Sequence, residues 1–338
     1  MEIIAIANQQ KNYSISLLRL IAMLFIVLCH FFQYYDVELA WWFNVGVQMF
    51  FCISGFLYAN KRIESAIDFI SKNLRKILIP YFCFLVPIIV IYFFFARDSI
   101  TVTSVASALL TNGVINGIGH LWFIPYILFC YLITPYVQIL AEKMRKTRWY
   151  IFCLIFCILI ICGEIFSDAF NSYFVFNRIF CYLFGYFAAV FLQEYGRKIY
   201  KLLVCVLTVT TILLNCLRIY CKYIGNFSFK GFAIFEGYAH ALLGISIVLF
   251  SLLFIKIEKK IMVFELSDKY SFYVYLVHQL FILSPFTLLT ITPHKILNWF
   301  LTIIAILVSA ILLEFISRIA TNYFNITINR LKEKVVFK

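Results

Sequence analysis

Apolar runs of about 20 residues follow one another from end to end of this chain, and the short stretches between them hold most of its charge. At about 1.5 Å per residue, each helical run spans the roughly 30 Å hydrocarbon core of a bilayer. The pattern predicts about ten membrane helices, at residues 14–34, 41–59, 77–96, 120–140, 149–166, 174–192, 200–218, 233–255, 271–290 and 297–317. The runs do not alternate apolar and polar positions as the strands of a membrane barrel do. The expected fold is therefore an all-α integral membrane bundle. Connections are short, no internal repeat is visible, and residues 1–338 read as one membrane domain with no appended soluble domain.

Composition agrees with the pattern. Hydrophobic residues make up 64% of the chain and charged residues 13%, more apolar surface than a water-soluble domain of 338 residues buries. The first run follows the polar stretch Asn8 to Asn12 and passes into Trp41 and Trp42 without a small-residue cleavage site, so it reads as a retained helix and not a removable signal. The net charge of +13 does not point to nucleic acid, because the basic residues lie between apolar runs and form no basic domain. Their expected partner is membrane lipid, in particular the anionic cytoplasmic leaflet. With the N-terminus placed in the cytoplasm, that side receives 22 of the 29 Lys and Arg; Arg97, Arg218, Lys222, Lys230 and Lys295 fall on the other side, and Arg19 and Arg178 within spans. The bias predicts two cytoplasmic termini. Eleven cysteines include no CxxC pair, and Cys29, Cys52, Cys83, Cys130, Cys153, Cys157, Cys162, Cys181 and Cys205 fall inside apolar runs, where they read as small core hydrophobes and not as metal ligands.

An ionisable side chain inside the membrane costs at least about 2.5 kcal/mol to insert, which makes each one a candidate site. The first run holds Arg19 and His30. Eleven residues is close to three helical turns, so the two share a face, with Arg19 toward the cytoplasmic mouth and His30 deeper. Arg19 either holds an anion there or snorkels to lipid phosphate. His30 serves as a base or satisfies a neighbouring carbonyl. The ninth run places Ser271, Tyr275 and His278 at i, i+4, i+7 on one face, as a site stripe or as interhelical hydrogen-bond glue. Glu236 and His240, at i, i+4, form either a general-base pair or a buried ion pair. His120 opens the fourth run beside Trp122 and Pro125, as an interfacial anchor or a residue of the site mouth. Arg178 and Glu314 sit near span ends, where headgroups can meet them. Lys72, Arg75 and Lys76, at i, i+3, i+4 in FISKNLRKILIPY, can grip phosphates or simply fix topology.

Several segments together resemble the acyltransferase type 3 family of membrane-bound, acyl-CoA-dependent O-acyltransferases. RLIAMLFIVLCH is similar to the family's first helix, in which an Arg and a His lie eleven residues apart. GVQMFFCISGFL resembles its second-helix signature, FISKNLRKILIPY the start of its third helix, HLWFIPYILFCYLITP its fourth, and YSFYVYLVH its late Tyr and His pattern. The order holds across nearly the whole chain. The basic motif departs from the family's Arg-x-x-x-Arg: Lys72 and Lys76 occupy those places, with Arg75 between them.

The resemblance implies transfer of an acyl group, usually acetyl, from cytoplasmic acetyl-CoA as co-substrate to a hydroxyl of a cell-surface or lipid-linked carbohydrate. It also implies residence in the bacterial inner membrane. Arg19 and His30 match the family's functional pair, and Arg19, Lys72, Arg75 and Lys76 are expected to hold the CoA phosphates. A sugar hydroxyl needs its proton removed as it attacks a thioester, so His30 either acts as the base or carries the acyl group as acyl-imidazole. Some relatives carry a C-terminal periplasmic hydrolase-like domain; this chain ends about 20 residues after its last run, and is expected to act alone or with a separate partner. The competing reading is a transporter or flippase of lipid-linked glycans, which predicts repeats or Gly- and Pro-broken helices, against only 12 Gly and 6 Pro. A glycan polymerase or glycosyltransferase calls for paired acids to hold a metal, and the first outer loop offers only Asp36 and Glu38.

Overall fold

The computed structural model describes residues 13–109, 115–144, 149–169, 176–225, 227 and 231–336. Among them the chain is helical and contains no strand. The helices are α1 Tyr13–Tyr34, α2 Leu39–Phe43, α3 Val45–Ala59, α4 Ala66–Phe95, α5 Val102–Leu109 and α6 Phe123–Met144. They continue with α7 Trp149–Ala169, α8 Phe176–Ile219, α9 Phe232–Phe254, α10 Met262–Ile282 and α11 Lys295–Val336. Short 3₁₀ turns at Arg97–Ser99 and Gly119–Trp122 precede α5 and α6, and a π turn, Tyr220–Ile224, ends α8. Lys11, Arg145, Lys146, Arg148, Lys230 and Lys338, which enter the charge count, lie outside the described residues, as do Asn8 to Asn12 and the side chains of Cys153, Lys332 and Lys334.

Among the described residues, seven stretches are long and apolar enough to cross a membrane: Tyr13–Tyr34, Leu39–Ala59, Ala66–Phe95, Gly119–Met144, Phe176–Ile224, Phe232–Phe254 and Lys295–Ile328. The protein is an all-α, multi-pass membrane protein. Two of the predicted runs merge in Phe176–Ile224, whose 49 residues would extend about 70 Å as one straight helix, well beyond a bilayer core. Gly196 divides it, with φ 76° and ψ 174°, a conformation that breaks the α ladder and that residues with a Cβ rarely adopt. The run predicted at 271–290 is displaced. Its helix, α10, starts earlier, with Glu265, Asp268 and Lys269 in its first half, and ends at Ile282, where Ser284 and Thr287 turn the chain through their own side-chain hydrogen bonds.

The chain forms two compact units that interleave in sequence. The first comprises Met1–Cys29, Glu38–Glu64 and Leu132–Asp268; the second comprises His30–Val37, Ser65–Tyr131 and Lys269–Lys338. In the first unit, α3, α8 and α9 form the centre, with Phe51, Cys52, Tyr182, Tyr186 and Ile245 buried. Lipid gives helices no hydrophobic reason to associate, so tight backbone approach has to hold them. Gly55 and Gly185 provide it. A Cβ at Gly55 would overlap the Tyr182 carbonyl, and one at Gly185 would overlap the Cys52 carbonyl, so each helix presses its glycine onto the other's backbone.

In the second unit, α4 packs on α11, and hydroxyls inside α4 reach out to other elements: Tyr81 donates to the Ala108 carbonyl in α5 and Tyr92 to the Asn116 carbonyl at 2.6 Å. Asn298 ties the turn before α11, donating to the Leu289 and Thr292 carbonyls and accepting from the Thr292 amide and hydroxyl. Glu314 does not meet headgroups. It is buried on α11 and pairs with Lys269 at 3.4 Å. Cys157, Cys162 and Cys205 are exposed on helix surfaces and not in a core, whereas Cys29, Cys52, Cys130 and Cys181 are buried as expected.

Gly185→Val is expected to destabilise the protein by about 1–3 kcal/mol, the usual range for overpacking a filled site. Thermal unfolding of purified protein in lipid should show a lower midpoint; an unchanged midpoint would mean that the α3–α8 crossing does not depend on this contact.

Candidate active site

Three histidines meet in the second unit. His30 lies in the last turns of α1, His120 in the 3₁₀ turn before α6, and His278 near the end of α10. Their ring centroids are 5.0 Å apart for His30 and His278, 4.8 Å for His120 and His278, and 6.4 Å for His30 and His120. His278 Nδ1 lies 2.7 Å from the Tyr275 carbonyl and 3.2 Å from the Val274 carbonyl. Carbonyls only accept, so Nδ1 carries the proton and Nε2 is a bare lone pair, buried and without a hydrogen-bond partner. His30 Nδ1 is 2.5 Å from Gln33 Oε1, one turn along α1. Donation to that oxygen puts the proton on Nδ1 and leaves His30 Nε2 bare as well.

His120 is locked in place. Gln279 Oε1 accepts from the His120 backbone N–H at 2.9 Å and lies 2.6 Å from its Nδ1, while Nε2 lies 3.1 Å from the Leu276 carbonyl. The Tyr275 hydroxyl donates to the His120 carbonyl, so α10 holds the 3₁₀ turn from three successive positions on one face. The Gln279 amide nitrogen is 3.5 Å from His30 Nδ1, so this one side chain touches two of the three histidines. Of the predicted stripe on α10, Tyr275 and His278 join this cluster; Ser271 is buried but takes no part in these contacts. Among the described residues, no group of three or more His, Cys, Asp or Glu is arranged to hold a metal ion.

Arg19 belongs to the first unit and has a partner that sequence reasoning did not single out: its Nη1 donates to Asp268 Oδ1 at 3.0 Å, and Ser16 donates to the other carboxylate oxygen at 2.7 Å. On α4, Lys72 and Lys76 are exposed. Arg75 is half-buried; its Nε donates to the Ser71 carbonyl and its Nη1 to Asn325 on α11. The basic face thus offers two outward ammonium groups flanking a guanidinium already engaged.

Glu236 and His240 do not form a pair. Glu236 Oε1 accepts from Arg218 Nε at 2.8 Å and Nη2 at 2.6 Å, with Lys222 at 3.7 Å. His240 Nδ1 meets the Gln48 amide nitrogen at 3.1 Å, and its ring stands 4.3 Å from that of Trp41. Arg218, counted with the outer connections, is in fact fully enclosed. Arg178 lies in the first turn of α8 and is half-buried.

A family model described as an acyltransferase domain, Acyl_transf_3, matches residues 12–318. The chain belongs to the acyltransferase type 3 family. No curated protein and no solved structure matches it. The match covers every residue of the histidine cluster and nearly the whole chain, so the protein is a membrane acyltransferase. Within this acyltransferase, Gln33 and Gln279 are the site residues that a search for ionisable groups passes over, because a neutral amide carries no charge to flag it. The available signal is position: Gln33 is one turn from His30, and Gln279 adjoins His278.

Gln279→Leu keeps the side-chain volume nearly constant and removes the oxygen that holds His120. Acyl transfer by the variant is expected to fall about ten-fold or more in kcat, the effect of a small misplacement of catalytic groups, with little change in donor KM. A normal kcat would make Gln279 a packing residue only.

Proposed function

We propose that this acyltransferase moves an acetyl group from cytoplasmic acetyl-CoA to a hydroxyl of a cell-surface or lipid-linked carbohydrate in the bacterial inner membrane, with His30 as the reacting imidazole. The observation that carries this reading is the place of His30 in the histidine cluster, with its Nδ1 2.5 Å from Gln33 Oε1; a proton held on that nitrogen leaves Nε2 as the base. A sugar hydroxyl is a weak nucleophile near neutral pH. As its oxygen attacks the thioester carbon, its proton passes to His30 Nε2; the new C–O bond forms, the C–S bond breaks, and the proton returns to the departing CoA sulfur. Transfer by way of acyl-imidazole has the same first requirement, because Nε2 must be bare to attack the thioester. His120 and His278 border His30 and keep its surroundings ordered, as orienting groups do around a catalytic imidazole.

The donor is proposed to sit with its phosphates against Lys72, Arg75 and Lys76 of the second unit. An ammonium holds phosphate as a point charge, without the fork of a guanidinium, so Lys72 and Lys76 supply attraction more than orientation. Arg19 shares its charge with Asp268, which holds the guanidinium ready in one position while leaving donors for a second anion.

His30→Ala protein that still inserts is expected to lose acetyl transfer by about 10² to 10⁴-fold, the usual contribution of a positioned proton acceptor. Full activity, read as ester-linked acetate on surface glycan or as CoA release in membranes, would remove His30 from the chemistry. Replacing Lys72 and Lys76 together by Ala is expected to raise the acetyl-CoA KM by about ten-fold while kcat changes little, as for lost ground-state binding. An unchanged KM would assign the two lysines to membrane topology.

A further inference from the structure

The first unit holds a second polar cluster, which the acyl-transfer chemistry does not use. Arg218 ends α8, Glu236 and His240 lie in the first turns of α9, Trp41 and Trp42 form α2, and Gln48 opens α3. All lie at one end of their helices, so the chain ends of four elements converge here. Arg218 is 0% exposed, with its Cζ 3.3 Å from the centroid of the Trp41 ring and 5.4 Å from that of Trp42. Its Nε and Nη2 are taken by Glu236, but Nη1 is buried with no hydrogen-bond partner. Gln48 donates to His240 and leaves its buried Oε1 without a partner. Asn215, one turn before Arg218, donates to the Thr211 and Ala239 carbonyls, and its buried Oδ1 is likewise unmet.

A buried polar atom without a partner costs about 1–3 kcal/mol, and this cluster holds four, because His240 Nε2 is unmet as well; they are expensive in a membrane protein unless a ligand meets them. Their chemistry identifies the ligand class. Arg218 Nη1 is a donor, as is His240 Nε2 when Nδ1 accepts from Gln48; Gln48 Oε1 and Asn215 Oδ1 are acceptors. An anion would satisfy the guanidinium but would set its charge against two bare carbonyl oxygens. A hydroxyl can accept from one side and donate to the other, so a ring bearing several hydroxyls answers donors and acceptors together. Trp41 is occupied by Arg218 and His240, but the partly exposed indole of Trp42 adds flat apolar surface for the C–H face of such a ring. We propose that Trp41, Trp42, Gln48, Asn215, Arg218 and Glu236 form a subsite that holds a neutral sugar ring of the acceptor. The Arg218–Glu236 pair is its rigid floor, and the open Nη1 and amide oxygens read the hydroxyls. This proposal rests on the reading of the protein as a carbohydrate acyltransferase.

The test uses the full-length protein in lipid nanodiscs free of glycoside detergent, with tryptophan fluorescence as the readout. The ligands are glucose, galactose, mannose, rhamnose, N-acetylglucosamine, N-acetylgalactosamine and, separately, inorganic phosphate, all without acyl donor. At least one sugar is expected to give a saturable change, and phosphate none. Gln48→Leu is expected to weaken that sugar by about ten-fold, the effect of one lost hydrogen bond at the upper end of the neutral range. Arg218→Lys, which keeps the charge but not the fork, is expected to weaken it at least as much. Gln48→Leu keeps the test decisive if Arg218→Lys does not fold. A response to phosphate alone, no response to any sugar, or a sugar response that survives Gln48→Leu overturns the proposal. The His30→Ala transfer assay decides the other reading independently. A sugar response with normal transfer by His30→Ala leaves the subsite standing and removes His30; loss of transfer without any sugar response does the reverse.

Discussion

Hydrocarbon offers no hydrogen bonds. Every polar atom carried by an apolar helix must find its partner inside the protein or leave its desolvation cost unpaid, and in this acyltransferase that constraint decides where chemistry can occur. Most of its intramembrane polar groups are answered locally. Thr208 and Thr302 return their hydroxyls to carbonyls one turn back, and Tyr81 and Tyr92 reach the Ala108 and Asn116 carbonyls outside α4. Where helices must also touch, glycines take over from polar atoms, and α3 and α8 meet backbone to backbone at Gly55 and Gly185. Against this background the unanswered atoms stand out: apart from the hydroxyls of Tyr200, Ser267 and Ser317, those found among the described residues gather in two places.

In the second unit the unanswered atom is His278 Nε2, beside a His30 whose proton is assigned to Nδ1 by Gln33. Imidazoles are costly residues with which to fill a helix interface, and three of them within 6.4 Å of one another need a dense collar of acceptors to fix their tautomers. The carbonyls of Val274, Tyr275 and Leu276 and the amides of Gln33 and Gln279 supply it. Three of these five groups are backbone. The site therefore depends on the path of α10 as much as on any side chain, and a small shift of that helix would disturb all three rings. Around the stacked guanidinium of the first unit the unanswered atoms are two nitrogens, of Arg218 and His240, and two amide oxygens, a set that suits hydroxyls better than charge.

The two clusters differ in how far the sequence announced them. His30, His120, Tyr275 and His278 stood out as polar residues in apolar runs, and all four fall in one place. Their visibility has a simple cause: insertion penalties mark ionisable residues one at a time, before any packing is known. The same signal misjudged Arg218. It lies at the edge of an apolar run, where a cation can reach water as readily as it can be buried, and only its stacking on Trp41 puts it inside. Glu236 and His240 share a helical face, yet each is claimed by a residue from another helix, Arg218 and Gln48, because a closer or stronger partner from outside the helix outweighs an i, i+4 neighbour. Arg19 likewise spends part of its charge on Asp268, some 250 residues away in the chain.

What this sequence determined by itself is the class of the molecule. Apolar runs of bilayer length leave the backbone no choice but helix, and the order of its motifs carries the acyltransferase family across nearly the whole chain. Helix breaks were partly readable too, since two apolar runs imply the turn that Gly196 makes. Only the tertiary structure decided which polar atoms meet. Tautomers, ion-pair partners and unanswered lone pairs depend on distances of a few tenths of an ångström between helices distant in sequence, and hydropathy, which sums over one helix at a time, carries no term for its neighbours.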